Sequence, residues 1–312
     1  MQLGMIGLGK MGAFMSERLM KAGHQVVGFD RDAAAVAKVK SAGAEGADSL
    51  AVMVSKLSAP RAVWMMVPAG NSVDDTIADL VKLLAPGDTI IDGGNSYYRD
   101  SQRRAAALRD KKISYVDAGT SGGVWGLKEG YSLMVGGDED VVARLAPIFQ
   151  ALAPAADKGW GRVGPCGAGH FVKMVHNGIE YAIMQGYAEG FDLMRHKTEM
   201  QLNLTQIAEI WRFGSVVRSW LLDLSADALT HNPQMEGIEA FVTDSGEGRW
   251  TAIEGIELGV PMPALSAALD ARLRSQDPAP FADKLLAMMR HEFGGHAVKE
   301  DAPADASKSK SK

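Results

Sequence analysis

Leu3-Gly4-Met5-Ile6-Gly7-Leu8-Gly9-Lys10-Met11-Gly12 decides the fold, because a short apolar run passes directly into a Gly-x-Gly-x-x-Gly turn that opens a helix. The next apolar run, Gln25 to Phe29, ends in Asp30, eighteen residues after Gly12. Strand, glycine turn, helix and second strand in this order form a parallel unit built to hold a dinucleotide. Gly7 allows the tight turn, Gly9 lets the backbone approach a pyrophosphate, and Gly12 permits close helix packing. The helix N-terminus adds free N–H groups and the positive end of its dipole. The whole turn, with Leu8, Lys10 and Met11 between the glycines, is therefore the expected phosphate cradle.

Outward from this unit, the chain as far as about Leu152 alternates short apolar runs with amphipathic stretches, the pattern of a parallel sheet covered by helices. Strands are expected at Leu3 to Ile6, Gln25 to Phe29, Ala62 to Val67, Thr89 to Ile91, Ser114 to Val116 and Ser132 to Val135. Gly23 and Gly43 sit where helix C-caps would fall. After Pro165 the strand signals fade, Gly167 to Met194 reads as one long helix, and further helices follow as far as Phe293. The expected fold class is an α/β, doubly wound Rossmann-type domain over residues 1–165 and an all-α domain over 166–298 for substrate and oligomerisation. Residues 299–312, rich in Ala, Ser, Asp and Lys without an apolar period, are expected to be disordered.

With 312 residues, 46% of them hydrophobic, the chain has enough apolar surface for a real core, and its length favours two domains. The 33 basic and 38 acidic side chains give a formal charge of −5, which offers no extended footprint to nucleic acid or an anionic membrane. An anionic ligand must then be met by a few placed cations. Cys166 is the only cysteine, so an intrachain disulfide is ruled out and a reducing, cytoplasmic setting is the expectation. The N-terminus shows no basic leader with a long apolar stretch, and no segment reaches about 18 uninterrupted apolar residues, so neither secretion nor membrane spanning is expected.

Asp30 ends its strand where a carboxylate accepts hydrogen bonds from both hydroxyls of the NAD ribose and repels the 2′-phosphate of NADP, which makes NAD the expected cofactor. Arg31 keeps NADP open: its guanidinium either stacks on adenine or pairs with a phosphate, or it is an ordinary solvated charge. Val67-Pro68-Ala69 ends a strand at the carboxyl edge of the sheet, either beside the cofactor or simply in a turn. Asn95, in Ile90-Ile91-Asp92-Gly93-Gly94-Asn95-Ser96, reaches the same edge. It offers a donor and an acceptor to a substrate hydroxyl or a nicotinamide amide, the alternative being an Asx turn. In Asp117-Ala118-Gly119-Thr120-Ser121-Gly122-Gly123, the residues Ser121, Gly122 and Gly123 are candidates for an N–H-lined concavity suited to a carboxylate.

The chemistry concentrates in Gly167-Ala168-Gly169-His170-Phe171-Val172-Lys173-Met174-Val175-His176-Asn177-Gly178-Ile179-Glu180-Tyr181. Lys173, His176, Asn177, Glu180 and Tyr181 share one helical face, with Phe171, Val172, Met174, Val175 and Ile179 on the remainder. A helix apolar nearly everywhere else is expected to be buried, and ionisable groups on it are costly unless they border a cleft or are fully paired. A lysine whose pKa is lowered by burial can take the proton of an alcohol as hydride leaves the same carbon for nicotinamide. Glu180, two turns along, can deliver or remove a second proton. His170 and His176 lie six apart and face away from each other, so no metal site is expected, and Cys166 reads as a small buried thiol rather than a nucleophile.

Asp92-Gly93-Gly94-Asn95-Ser96, the Ser121-Gly122-Gly123 loop, Gly167 to Tyr181 and Gly248-Arg249-Trp250-Thr251-Ala252 resemble, in this order and over nearly the whole chain, signature segments of the 6-phosphogluconate dehydrogenases, within the wider β-hydroxyacid dehydrogenases. The resemblance implies that Lys173 is the general base of oxidation, that Glu180 protonates C1 of the enediol, and that His176, Asn177 and Asn95 bind or orient substrate. It implies a metal-free oxidative decarboxylation in the pentose phosphate pathway. Hydride leaves C3 of 6-phosphogluconate, the β-keto acid loses CO2 as Lys173 returns its proton to the carbonyl, and ribulose 5-phosphate forms.

By the same resemblance, Tyr181, Arg249, Thr251 and Arg272 match the family's phosphate-binding positions, with arginine at 249 where many members have lysine. Arg290-His291-Glu292-Phe293-Gly294-Gly295-His296 resembles the family's tail segment, in which the arginine and final histidine reach the neighbouring subunit's site. Arg290 and His296 are thereby assigned to substrate across a homodimer or homotetramer. The chain resembles the short form, without the second large helical repeat of longer members. Asp30-Arg31-Asp32 stands where NADP-dependent members commonly have an Asn-Arg-Thr type of segment, in keeping with NAD. Two rival readings are a dehydrogenase of a small β-hydroxyacid such as 3-hydroxyisobutyrate, which needs no phosphate clamp, and a non-catalytic dinucleotide sensor, which has no reason to keep Lys173 and Glu180 on one face.

Overall fold

Adjacent residues of a strand point to opposite faces of its sheet, and the chain uses that period to build two apolar cores at once. In the computed structural model, which describes residues 1–299, Leu3 and Met5 of β1 (Gln2–Ile6) join Trp64, Ile91 and Val116 on one side. Ile6 joins Val63, Met65, Ile90 and Tyr115 on the other. Because both faces are covered, β4 (Ala62–Met65) and β5 (Thr89–Asp92) are buried at every position, and β4 runs apolar throughout instead of alternating.

The order of strands is β3-β2-β1-β4-β5-β6-β7-β8, where β2 is Gln25–Phe29, β3 Glu45–Gly46, β6 Ser114–Ser121, β7 Ser132–Gly136 and β8 Trp160–Gly164. The chain leaves β1 towards β2 and returns to its other side as β4, so the switch point lies at the carboxyl ends of β1 and β4. Helices α1 (Lys10–Lys21), α2 (Ala33–Ser41), α3 (Leu50–Ser55), α4 (Asn71–Leu80), α5 (Tyr98–Arg109), α6 (Gly126–Glu129) and α7 (Glu139–Leu152) connect the strands.

All six expected strands form, and two more appear. β3 has only two residues, too few to show a period, and β8 is an edge strand whose exposed Arg162 and Val163 mask any apolar signal. The sheet is also not purely parallel, since β7 runs antiparallel to β6. That pairing prolongs β6 past Val116 as far as Ser121 and delivers the Ser-Gly-Gly loop directly from a strand end.

Helix α8 spans Ala168–His196 and crosses β6 and β7 at contact distance. A methyl group at Gly119 would lie 2.4 Å from Cβ of Lys173, and one at Gly169 would lie 2.4 Å from the Asp117 carbonyl oxygen. The buried Asp117 carboxylate accepts from the backbone N–H groups of Gly167 (2.7 Å) and His170 (2.8 Å), so a strand side chain caps the helix. Helix α11 (Glu247–Leu258) packs on α8, with Gly248 against the Tyr181 ring and Gly178 against Thr251.

Two compact units result: residues 1–202 with 245–266, and residues 203–244 with the described residues from 267 onward. The sequence suggests a boundary at residue 165, whereas compactness leaves α8 and α11 with the sheet, because Asp117 and the glycine crossing hold α8 there. The second unit contains α9 (Leu204–Arg212), α10 (Trp220–His231), α12 (Pro263–Arg274) from residue 267, and α13 (Phe281–Gly294). Among the described residues no strand follows Gly164. Apart from Lys299, the stretch 299–312 lies outside the described residues. None of the described helices is long and apolar enough to cross a membrane.

The expectation that α8 is buried holds for part of its surface, Met174 included, and fails for its apolar flank. Ile179 is 58% exposed and Leu193 73%, whereas Lys173, Asn177 and Tyr181 are buried. Lys173, Met174, Asn177 and Tyr181 lie on the side of α8 that packs on β6, β7 and α11, while Ile179 and Leu193 face outward.

Candidate active site

At the carboxyl end of β1 the three glycines differ in their surroundings. Gly7 has φ +87°, and a methyl group there would lie 2.4 Å from the Met66 carbonyl oxygen. A methyl at Gly12 would lie 1.9 Å from the Gly7 carbonyl oxygen, while one at Gly9 meets nothing within 4 Å. Tight packing on two sides and open space on the third is the shape a diphosphate needs. Helix α1 begins after Gly9 with no side-chain cap, leaving its first-turn N–H groups aimed at that space. Leu8 is buried against the core, Met11 packs on it from its edge, and Lys10 is exposed.

Asp30 holds this loop in place. Its carboxylate accepts from the Leu8 N–H at 2.6 Å and from the Asp32 N–H at 2.9 Å, tying the end of β2 to the glycine turn. Each oxygen keeps a lone pair for a ribose hydroxyl. Arg31 is exposed beside it, and Val67 and Pro68 follow β4 on the same sheet edge, half-buried and exposed respectively.

Asn95 is exposed just beyond β5. The Asx turn weighed for it is made instead by Asp92, whose Oδ1 accepts from the Gly94 N–H at 3.1 Å. Asp92 Oδ2 accepts from the Ser96 and Tyr115 hydroxyls, each at 2.7 Å, and burial pushes the Tyr115 phenol well above its ordinary pKa. Arg104, 2% exposed, sits behind this network and binds Asp74 (2.9 Å) and the Gly70 carbonyl (3.1 Å). Together with Arg103, its hydrogen bonds hold the Asp74 carboxyl at about 2. Sequence reasoning missed this scaffold under the Asn95 loop, since its members lie far apart in the chain.

The face of α8 is a connected set of groups. Lys173 Nζ donates to Asn177 Oδ1 at 2.5 Å, and His176 Nδ1 reaches the same oxygen at 3.1 Å. His176 Nε2 lies 3.4 Å from the Ser121 hydroxyl, which links α8 to the end of β6. Glu180 Oε2 lies 3.9 Å from His176 Nδ1, and the Tyr181 and Ser245 hydroxyls pair at 3.2 Å. Burial lowers the pKa of Lys173 below the usual lysine value, against the opposing pull of the Glu180 and Glu247 charges. Ser121 leads into Gly122 and Gly123, with φ +123° and +49°, so the loop turns sharply where the concavity was expected.

Thr251 joins the two helices α8 and α11. Its buried hydroxyl lies 2.8 Å from both the Met174 and Glu247 carbonyl oxygens, so it clamps α8 to α11 and is not a free donor. Arg249 is exposed at the start of α11. Arg272, Arg290 and His296 belong to the second unit, where Arg272 donates to the Thr243 carbonyl at 2.8 Å and Arg290 and His296 are exposed. Glu247, 3% exposed, escaped sequence reasoning altogether; its only signal was a carboxylate placed between two glycines at a helix start.

His170 pairs through Nδ1 with the Ser101 hydroxyl at 2.7 Å while His176 turns to Asn177, and among the described residues no three His, Cys, Asp or Glu side chains cluster as metal ligands do. The half-buried Cys166 thiol donates to the Ser101 carbonyl, and burial raises its pKa, which keeps it a poor nucleophile.

A doubly wound sheet with a glycine cradle at its switch point, joined to a helix bearing a buried lysine, defines a nicotinamide-dependent dehydrogenase. Residues 2–163 match the NAD binding domain of 6-phosphogluconate dehydrogenase, and residues 169–301 match the 6-phosphogluconate dehydrogenase C-terminal domain. The chain belongs to the 6-phosphogluconate dehydrogenase family.

It is 44% identical to an NAD(+)-dependent, decarboxylating 6-phosphogluconate dehydrogenase of Haloferax volcanii, an alignment covering 96% of this chain and 98% of the relative. Among solved structures it is similar to the Plasmodium falciparum 6-phosphogluconate dehydrogenase, studied with its cofactor NADP+ and with its substrate (TM-score 0.82, 29% identity, 98% of this chain and 67% of that longer one). The fold extends to the 3-hydroxyisobutyrate dehydrogenase of Mycobacterium tuberculosis (TM-score 0.71, 24% identity, 88% and 92% covered).

Proposed function

We propose that this protein carries out the oxidative decarboxylation of 6-phosphogluconate to ribulose 5-phosphate and CO2 with reduction of NAD, as a cytoplasmic step of the pentose phosphate pathway. One observation carries the reading: Lys173 is buried, hydrogen-bonded to Asn177 and grouped with His176 and Glu180 on a helix packed against the cofactor-type sheet. Gly7, Gly9, Gly12 and the open first turn of α1 fit a diphosphate, and Asp30 fits an unphosphorylated ribose. Bound there, the nicotinamide supplies an acceptor for the hydride from C3.

The residues supply the proton chemistry. Lys173, whose charged form burial disfavours, takes the proton of the C3 hydroxyl as hydride departs. In the β-keto acid the C1–C2 bond breaks, CO2 leaves, and Lys173 returns the proton to the C3 carbonyl oxygen as the electrons form the enediol. Glu180 then protonates the former C2, now C1 of the product, while Lys173 draws the enediol proton so that the ketone forms. His176, Asn177, Asn95 and the Ser121-Gly122-Gly123 loop orient the hydroxyls and carboxylate. Tyr181 and Arg249 bind the phosphate, and Thr251 positions their helices through its clamp. Arg290 and His296 complete the site of a neighbouring subunit in a homo-oligomer, a reading supported by the exposed apolar residues of α8 and α11, Ile179 and Ile256 among them.

The test is to mix purified protein with 6-phosphogluconate and equal concentrations of NAD or NADP, following reduced cofactor and released CO2 together. NAD reduction with matching CO2 is the expected result, and faster NADP reduction would transfer cofactor choice from Asp30 to Arg31. Reduction only with unphosphorylated β-hydroxyacids would overturn the phosphate assignment.

A further inference from the structure

Lys173 must act as base, then acid, then base, so its proton affinity has to stay near the middle of the working range throughout the cycle. Burial alone pulls it down. On the reading above, Glu180 cannot supply a steady opposing charge, because delivering a proton to carbon changes its own charge within each turnover. A second carboxylate that never reacts would meet that need.

Glu247 has the required placement. It is the first residue of α11, with the positive end of that helix behind it, and it is 3% exposed. Its backbone is fixed to the neighbour of Lys173, since one Thr251 hydroxyl spans the Glu247 and Met174 carbonyl oxygens. Gly248 next to it allows the Tyr181 ring to within contact, so α11 cannot slide along α8. Its Oε2 is buried and has no hydrogen-bond partner among the described residues, an arrangement that costs folding free energy.

The other charged and titratable groups on elements packed against this part of α8 are otherwise engaged. On β6, Asp117 is committed to the Gly167 and His170 N–H groups. On β8, Arg162 donates to the Gly137 carbonyl, and β7 carries no titratable side chain. On α5, Tyr98 and Arg99 bind Glu254 of α11, and Arg104 binds Asp74. On α8 itself, His170 pairs with Ser101, His176 with Asn177, and Tyr181 with Ser245. Glu180 and Glu247 are the carboxylates that oppose the effect of burial on Lys173.

We propose that Glu247 is a positioning residue that acts through Lys173, a fixed counter-charge supplied by the facing helix that keeps the lysine able to hold a proton between the two halves of the reaction. The inference rests on Lys173 being the base, so its test reads the lysine directly as well as through turnover. Protein labelled with 13C at lysine Cε is titrated by NMR without ligands, the Lys173 signal being assigned by its absence in Lys173→Met. In Glu247→Gln, which leaves the backbone clamp intact, the Lys173 midpoint is expected to fall by about half a unit or more. The acid limb of kcat/KM should move down with it. Glu247→Met, neutral and of similar length, should give the same fall, while Glu247→Asp, which keeps the charge, should hold the midpoint near that of the unaltered protein. An unmoved Lys173 midpoint in either neutral variant, folded by circular dichroism, overturns the proposal. A midpoint that falls while the kcat/KM limb stays fixed supports the Glu247–Lys173 coupling and refutes instead the assignment of Lys173 as base.

Discussion

Replacing Lys173 by methionine separates catalysis from folding with unusual clarity. The side chain is 8% exposed and its stem runs against Gly119, so an unbranched apolar residue of similar length fills the same channel. The change removes the donor to Asn177 Oδ1, but that oxygen keeps its contact with His176 Nδ1 at 3.1 Å. It also removes a group whose charge burial disfavours. These terms offset, and stability should change by about 1 kcal/mol or less. The loss of a general base lowers turnover by about 10²–10⁴-fold, equivalent to about 3–5 kcal/mol in the barrier. Cofactor binding should survive, because the glycine cradle lies at the end of β1 and touches none of these atoms. Initial rates of NAD reduction, denaturant unfolding and NAD titration by fluorescence, all on one preparation, give the three readouts. A variant that keeps kcat within tenfold of the parent would refute the assignment of the base, and one that unfolds or loses NAD would refute the packing argument.

Other outcomes follow from the same geometry. Gly9→Ala should fold normally yet lose about tenfold or more in NAD affinity, since its methyl projects into open space, whereas Gly12→Ala, driven into the Gly7 carbonyl, should destabilise by several kcal/mol; thermal melts with and without NAD distinguish them. The acid limb of kcat/KM should lie below the usual lysine value of 10.5, activity being lost as falling pH protonates Lys173, and a pH–rate profile checks it. Asp74, held at about 2 by Arg104 and Arg103, contributes stability that is fully present above 3.8 and lost as pH falls towards 2, so Asp74→Asn should flatten the acid side of a stability-versus-pH curve. Thr251→Val should cost about 1–2 kcal/mol in urea unfolding by opening the clamp between Met174 and Glu247.

The sheet was legible where an apolar run stands between clear turn signals: Gln25 to Phe29 is read from the sequence as it stands in the structure. It was not legible at its edges, where Glu45–Gly46 is too short and Trp160–Gly164 too exposed for a period to develop. The helical face of Lys173, His176, Asn177, Glu180 and Tyr181 could be drawn from spacing alone, yet spacing cannot say which face a helix buries. Ile179 points out and Lys173 points in because the partners of α8 are set by Asp117 and by glycines on other elements, a tertiary fact. Asp92, Arg104 and Glu247 stayed hidden for the same reason, since each matters through a contact with a residue distant in sequence or through a charge acting across helices.

The crossing of α8 over β6 bears on how such a chain can diverge. Arg31 and Arg249 sit at the surface, where one exchange at a time leaves the fold intact, so a lineage can drift in cofactor and ligand preference by single steps. Gly119 and Gly169 allow no such path, because the smallest possible addition at either collides with the lysine stem or the strand backbone. Neither glycine performs any chemistry, yet both are predicted to be inherited as strictly as the lysine itself, and ancestry can re-tool the rim of this site far more readily than it can re-seat the helix.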